Sequence, residues 1–129
     1  MIEVKNVTKL FDGKPAISDI SMQFREGQTN LIIGRSGSGK TVLLKCILGL
    51  HEADRGEILY DGRSFTRMRQ KDRKEIRKEV GMVFQGGALF DSLTVEQNVR
   101  FPLDMFTLMG AREKAARVDF CLDHVNLTE

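Results

Sequence analysis

The sequence predicts an α/β fold built on a mixed sheet. Three observations carry that prediction. Leu31-Ile32-Ile33 is a short apolar run that passes straight into a glycine-spaced loop and then into an apolar stretch of helical length. Val80–Phe84 is a second run of the first kind. Ahead of both, Met1–Val7 and Ile17–Phe24 alternate apolar with polar residues, the pattern of antiparallel strands with one wet face.

Taken in order, Ile2, Val4 and Val7 mark the first strand, with Glu3 and Lys5 between them. Asp12-Gly13 signals a turn, and Pro15 reinforces the break. Ile17, Ile20, Met22 and Phe24 mark the second strand, closed by Glu26-Gly27. Thr29–Ile33 reads as a strand buried on both faces. Val42, Leu43, Leu44, Ile47, Leu48 and Leu50 suit a helix from Lys40 to Leu50 that is buried on most sides. Glu57–Tyr60 is a short strand, followed by an Asp61-Gly62 turn. Gln70–Glu79 predicts a charged helix, and Val80–Phe84 a buried strand. Thr94, with Gln97 three residues on, has capping-box spacing for a helix from Val95 that ends near Pro102. The last helix, Arg112–Val125, would turn Ala115, Ala116, Val118, Cys121, Leu122 and Val125 inward.

The 129 residues suffice for one core. No apolar run is long enough to span a bilayer, and the N-terminus lacks a signal-peptide layout, so a cytosolic chain is expected. Cys46 and Cys121 stand far apart and outside metal-ligand spacing, as do His51 and His124, and all four read as structural. Residues 63–78 carry eight Lys or Arg against two Asp or Glu, a net +6 in a chain of net +2. Aromatic interleaving is limited to Phe65, and Asp72 and Glu75 lie among the bases. A solvated helix face is therefore expected, with attraction to anionic lipid as the alternative, and no nucleic-acid partner.

Gly34-Arg35-Ser36-Gly37-Ser38-Gly39-Lys40-Thr41 fits the phosphate-loop pattern GxxxxGK[ST]. Glycines let successive N–H groups turn inward and form an anion site, and the helix that begins at Lys40 adds the positive end of its dipole. Lys40 would reach the β- and γ-phosphates. The Thr41 hydroxyl would bind Mg²⁺. Ser36 and Ser38 add hydroxyl and backbone donors, and Arg35 lies within the loop.

With this loop in its setting, the chain resembles the ATPase subunit of ATP-binding cassette (ABC) transporters over its whole length. IEVKNVTKLFDGKPAISDISMQFREGQ resembles the antiparallel layer that opens those domains, and GLHEADRGEILYDG resembles the passage after their first helix. The resemblance implies a RecA-like P-loop NTPase core with an N-terminal antiparallel β layer. It also implies ATP and Mg²⁺ as cofactors. In the family an aromatic near residue 11 stacks on adenine; Phe11 keeps the ring where tyrosine is commoner. GMVFQ, ending in Gln85, resembles the Q-loop, so the Gln85 amide would approach Mg²⁺ and the attacking water. Lys40 and Gln85 are then the expected catalytic residues, and Thr41 and Gln85 the expected metal ligands.

FQGGALFDSLTVEQNVRFP, residues 84–102, resembles the ATPases of Mla-type phospholipid-trafficking systems, while polar amino acid importers carry related sequences here. The partners implied are a second ATPase subunit, making a dimer, and transmembrane permease subunits. The place implied is the inner face of the cytoplasmic membrane. Residues 1–129 resemble the N-terminal half of one such domain, incomplete at the C-terminus. The family's LSGGQ-like signature, its Asp-Glu pair and its switch histidine do not occur in them. Apolar surface or an open strand edge is therefore expected on this chain. A nucleotide-binding module without hydrolysis, and an ABC protein acting on ribosomes or in DNA repair, are the other classes considered.

Overall fold

Asp12 and Gly13 both take positive φ (50° and 76°), the geometry of a two-residue hairpin turn. They join β1 (Ile2–Phe11) to β2 (Lys14–Phe24). This computed structural model describes residues 1–84 and 86–127. Val4 and Val7 are both buried although three residues separate them. A bulge at Asn6 (φ 51°) makes up the odd residue and returns Val7 to the inner face. Asp19 (φ 53°) does the same between Ile17 and Ile20 of β2. The two bulges are tied together, since the Asn6 side-chain amide donates to Asp19 at 2.8 Å.

β3 (Arg55–Tyr60) pairs with the other edge of β1, and the short β4 (Arg63–Ser64) closes an antiparallel sheet of order β2-β1-β3-β4. Helix α1 (Lys40–Ile47) packs Leu43, Cys46 and Ile47 into a core with Val4, Val7, Ile17, Ile58, Tyr60, Phe65 and Ile76. Tyr60 donates its hydroxyl to the Ile47 carbonyl at 2.8 Å, which satisfies a carbonyl at the helix end. Burial pushes the Tyr60 phenol up to about 12 and raises the Cys46 thiol.

Helix α2 (Gln70–Lys78) corrects the expectation of a purely solvated basic face. Arg73 is buried, lies 5.2 Å from the Phe65 ring centroid, donates to the Phe65 and Thr66 carbonyls at 2.9 and 2.7 Å, and pairs with Glu52. Arg77 donates to the Leu48 and Gly49 carbonyls at 3.1 and 2.8 Å, capping the C-terminal end of α1. Their long apolar stems follow the core while the guanidinium groups meet carbonyls that would otherwise be unpaired. Arg69–Asp72 and Lys78–Glu75 are exposed pairs one turn apart, as the spacing predicts.

The two strands expected at Leu31–Ile33 and Val80–Phe84 are not formed. Leu31 and Ile33 are 80% and 84% exposed. A strand buried on both faces requires hydrogen-bonded neighbours on each side, and among the described residues neither segment has one. The apolar surface expected on this chain is present there.

The chain divides into two compact units, Met1–Met82 and a second that starts at Val83. The second unit holds α3 (Val95–Phe106) and α4 (Ala111–His124). Thr94 caps α3 as expected: its hydroxyl accepts from Gln97 N–H at 3.2 Å, and Gln97 accepts from Thr94 N–H at 2.9 Å. The helix does not end near Pro102 but runs on to Phe106. Arg100 pairs with Glu96 and, across the proline, with Asp104. Lys114 of α4 also pairs with Asp104 at 2.9 Å. Lys114 and then Arg100 hold the Asp104 carboxyl below the usual range. Of the inner face expected for α4, Val118 alone is buried; Cys121 and Leu122 are half-buried, and Ala115, Ala116 and Val125 are exposed.

Candidate functional site

The sequence Gly34–Thr41 folds into a loop that closes on the side chain of its own lysine. Lys40 Nζ donates to the carbonyls of Gly34 and Arg35, both at 2.7 Å. Ser38 N–H donates to the Arg35 carbonyl at 3.2 Å and tightens the ring. Gly39 (φ 89°) is the N-cap of α1, and a Cβ there would stand 2.5 Å from both the Ala16 carbonyl oxygen and Ile17 Cγ2. Only glycine can take that φ and let the loop lie this close to β2. The first intrahelical bond runs from Leu43 N–H to the Gly39 carbonyl at 2.8 Å. The N–H groups of Lys40, Thr41 and Val42 are thus left without helical acceptors.

These residues fit a polyphosphate. Helix N–H donors, the helix dipole and an ammonium converge on one exposed loop, and a loop of this kind prefers an anion. Residues 34–38 and Thr41 are exposed and Lys40 is half-buried, so the donors are accessible. Thr41 offers one hard hydroxyl oxygen. Mg²⁺ takes few protein ligands and fills its remaining positions with phosphate and water, so a single hydroxyl fits its needs. Gln85, the second expected metal ligand, lies outside the described residues.

Phe11 ends β1 at the same end of the hairpin as the loop. It pairs with Lys14, two residues along β2 from the Ala16 carbonyl that Gly39 touches, about 7 Å at the rise of a strand. The ring is not core, since Phe11 is 43% exposed. Lys9 Nζ sits 5.4 Å from its centroid and 3.0 Å from Asp54. Asp54 also accepts the Leu10 N–H at 2.7 Å. That bond, and then Lys9, keep the Asp54 carboxyl below the usual range. His51, read as structural from the sequence, meets the Phe11 ring at 5.3 Å with 76° between the planes. No spacing signal links residues 11 and 51, and only the fold brings them together.

A phosphate loop between an antiparallel hairpin and the helix that follows defines a phosphate-loop NTPase cassette. The chain belongs to the ABC transporter family, whose model matches residues 17–129. It is 38% identical over 129 residues to a methionine import ATP-binding protein, MetN, of Clostridium acetobutylicum, covering all of this chain and 40% of that one. It is 41% identical over 103 residues to the intermembrane phospholipid transport system ATP-binding protein MlaF of Haemophilus influenzae, covering 80% of this chain and 39% of the other. Among solved structures it is similar to the ATP-binding cassette MJ0796, a dimer bound to ADP and Pi in a post-hydrolysis state, at TM-score 0.88 and 31% identity. All of this chain and 59% of that one are covered. The chain thus spans well under half the length of these two curated relatives. Among the described residues, no helix is long and apolar enough to cross a membrane.

Proposed function

We propose that this chain binds ATP with Mg²⁺ as part of an ABC transporter ATPase subunit. In the whole protein, paired with a second ATPase subunit and with transmembrane permease subunits, hydrolysis would drive transport. The observation that carries this reading is the closed loop around Lys40, with its ammonium 2.7 Å from two carbonyls and three N–H groups without helical acceptors beside it. On binding, Lys40 exchanges carbonyl oxygens for phosphate oxygens of greater charge. Gly34 through Gly39 supply backbone N–H donors, with Arg35, Ser36 and Ser38 as side-chain donors. Thr41 holds the metal, and Phe11 offers its ring to the base. Gln85 is proposed as the residue that orients water near the metal.

Phosphoryl transfer rests on positioning and charge stabilisation. The proposed cradle and the proposed metal ligands Thr41 and Gln85 lie in residues 1–129, so binding is assigned to this chain and hydrolysis to the whole subunit. Substituting Lys40→Ala should weaken Mg·ATP binding about 100-fold, as expected for loss of a charge-assisted contact to the phosphates. Unchanged affinity by calorimetric titration would refute the site.

For the cargo, import of a small solute such as an amino acid is favoured. The MetN relative named above matches the full length of this chain, and several others bear the same name. Phospholipid is the second reading, supported by the MlaF relative and by residues 84–102. Reconstitution of the whole transporter in vesicles decides between them: uptake of radiolabelled methionine supports the first, and transfer of labelled phospholipid the second.

A further inference from the structure

We propose that His51 is a positioning residue for Phe11, holding the ring where it stacks on the base of a bound nucleotide. This rests on the ATP-binding reading above and adds to it a residue that sets the geometry of the base site. Phe11 stands at the end of β1 beside the hairpin turn and is half-exposed. An aromatic side chain in that position samples several rotamers unless something holds it, and freezing it on ligand binding reduces affinity.

Lys9 and His51 both lie against the ring. Lys9 comes from the same strand and is tied to Asp54. His51 comes from a separate element, and its near-perpendicular contact at 5.3 Å is a favoured geometry for aromatic pairs. The backbone beneath His51 is fixed. Leu50 and His51 N–H both donate to the Lys45 carbonyl, at 2.8 and 3.1 Å. Gly49 turns the chain off α1 with φ 67°, and a Cβ there would stand 2.7 Å from the Phe65 ring, so the turn requires glycine. Among the described residues, the His51 ring nitrogens make no hydrogen bond, which leaves the Phe11 contact as its specific ring interaction.

The consequence is a link along one helix. Helix α1 presents the phosphate loop at its N-terminus and carries His51 just beyond its C-terminus. The same rigid segment therefore sets both the phosphate cradle and the orientation of the aromatic ring. Affinity for the base and affinity for the phosphates become separable, because His51 acts on the first alone.

The test uses the intact protein and two probes, Mg·ATP and Mg·tripolyphosphate, titrated by calorimetry. His51→Ala should weaken ATP binding roughly three- to tenfold and leave tripolyphosphate within about twofold, as expected for the loss of one aromatic contact. His51→Phe, which restores a ring without nitrogens, should recover ATP affinity to within about twofold. In a Phe11→Ala background, His51→Ala should produce no further loss. Equal losses for both probes would show a merely structural role and overturn the proposal. So would a His51→Phe variant as weak as His51→Ala, or an undiminished effect without Phe11. An ATP affinity unchanged by Phe11→Ala alone is a different failure: it would remove the base-stacking reading on which the proposal stands.

Discussion

Val4, Val7 and Ile58 are at most 2% exposed, whereas Leu31 and Ile33 are 80% and 84% exposed, although both sets were read from the sequence as strand. Side-chain hydrophobicity does not separate them. What separates them is the backbone. β1 has a hydrogen-bonded neighbour on each edge, β2 and β3, and both lie within the first 60 residues. Residues 31–33 have no such neighbour among the described residues. An apolar run makes a strand only when its N–H and C=O groups are also paired, since burying them unpaired costs more than the side chains return. The hairpin meets that condition through a two-residue turn, whereas a parallel pairing requires a long crossover.

The sharpest way to break this comparison is to truncate one residue of each kind in the 129-residue chain. Ile58→Ala should destabilise by about 2–5 kcal/mol, the range for a buried isoleucine, and Ile33→Ala by less than about 0.5 kcal/mol. Urea denaturation followed by circular dichroism measures both. Equal effects would mean that residues 31–33 are packed. The second test concerns the basic run, which also divides into inward and outward residues. Arg73→Ala should cost about 2–3 kcal/mol, because it strands the Phe65 and Thr66 carbonyls, while exposed Lys74→Ala should stay within about 0.5 kcal/mol. A similar small change at both positions would restore the solvated-face reading.

The third test, at Tyr60, reads a smaller loss than Ile58→Ala or Arg73→Ala. Tyr60→Phe should cost about 1 kcal/mol through loss of its bond to Ile47. The phenol is pushed up to about 12, so the folded state holds its proton more tightly than the unfolded state. Its contribution is therefore complete below about pH 10 and declines as pH rises from there toward 12. The raised Cys46 thiol has the same sign and remains in the variant. Tyr60→Phe should thus fall less steeply than the native chain across that window, and an identical alkaline profile would argue against a buried phenol.

Much of the local structure was legible because it is encoded locally. The Asp12-Gly13 turn, the Thr94 capping box and the phosphate loop each depend on a few adjacent residues whose geometry admits little choice. The bulges at Asn6 and Asp19 were not read, though the three-residue steps from Val4 to Val7 and from Ile17 to Ile20 were their traces. Pro102 misled because a proline removes one intrahelical hydrogen bond without fixing where the helix stops, and α3 continues to Phe106. Arg73 and Arg77 were hidden in a run of like charges, and only the positions of Phe65 and Gly49 show which arginines turn inward. In the site, the Gly34–Thr41 loop was legible as a motif, while the strand expected to lead into it did not form and Gln85 lies outside the described residues. The contact of His51 with Phe11 was not, because the two lie 40 positions apart with β2 and α1 between them.

The most direct measurement is amide hydrogen exchange across Gly34–Thr41 in the presence of Mg·ATP and, separately, of adenosine. The loop's unspent N–H groups should slow markedly with Mg·ATP and stay unchanged with adenosine, because it is the phosphates that they bind. If Mg·ATP binds while exchange at Gly37 through Thr41 is unaltered, the nucleotide lies elsewhere and the phosphate-cradle reading is wrong.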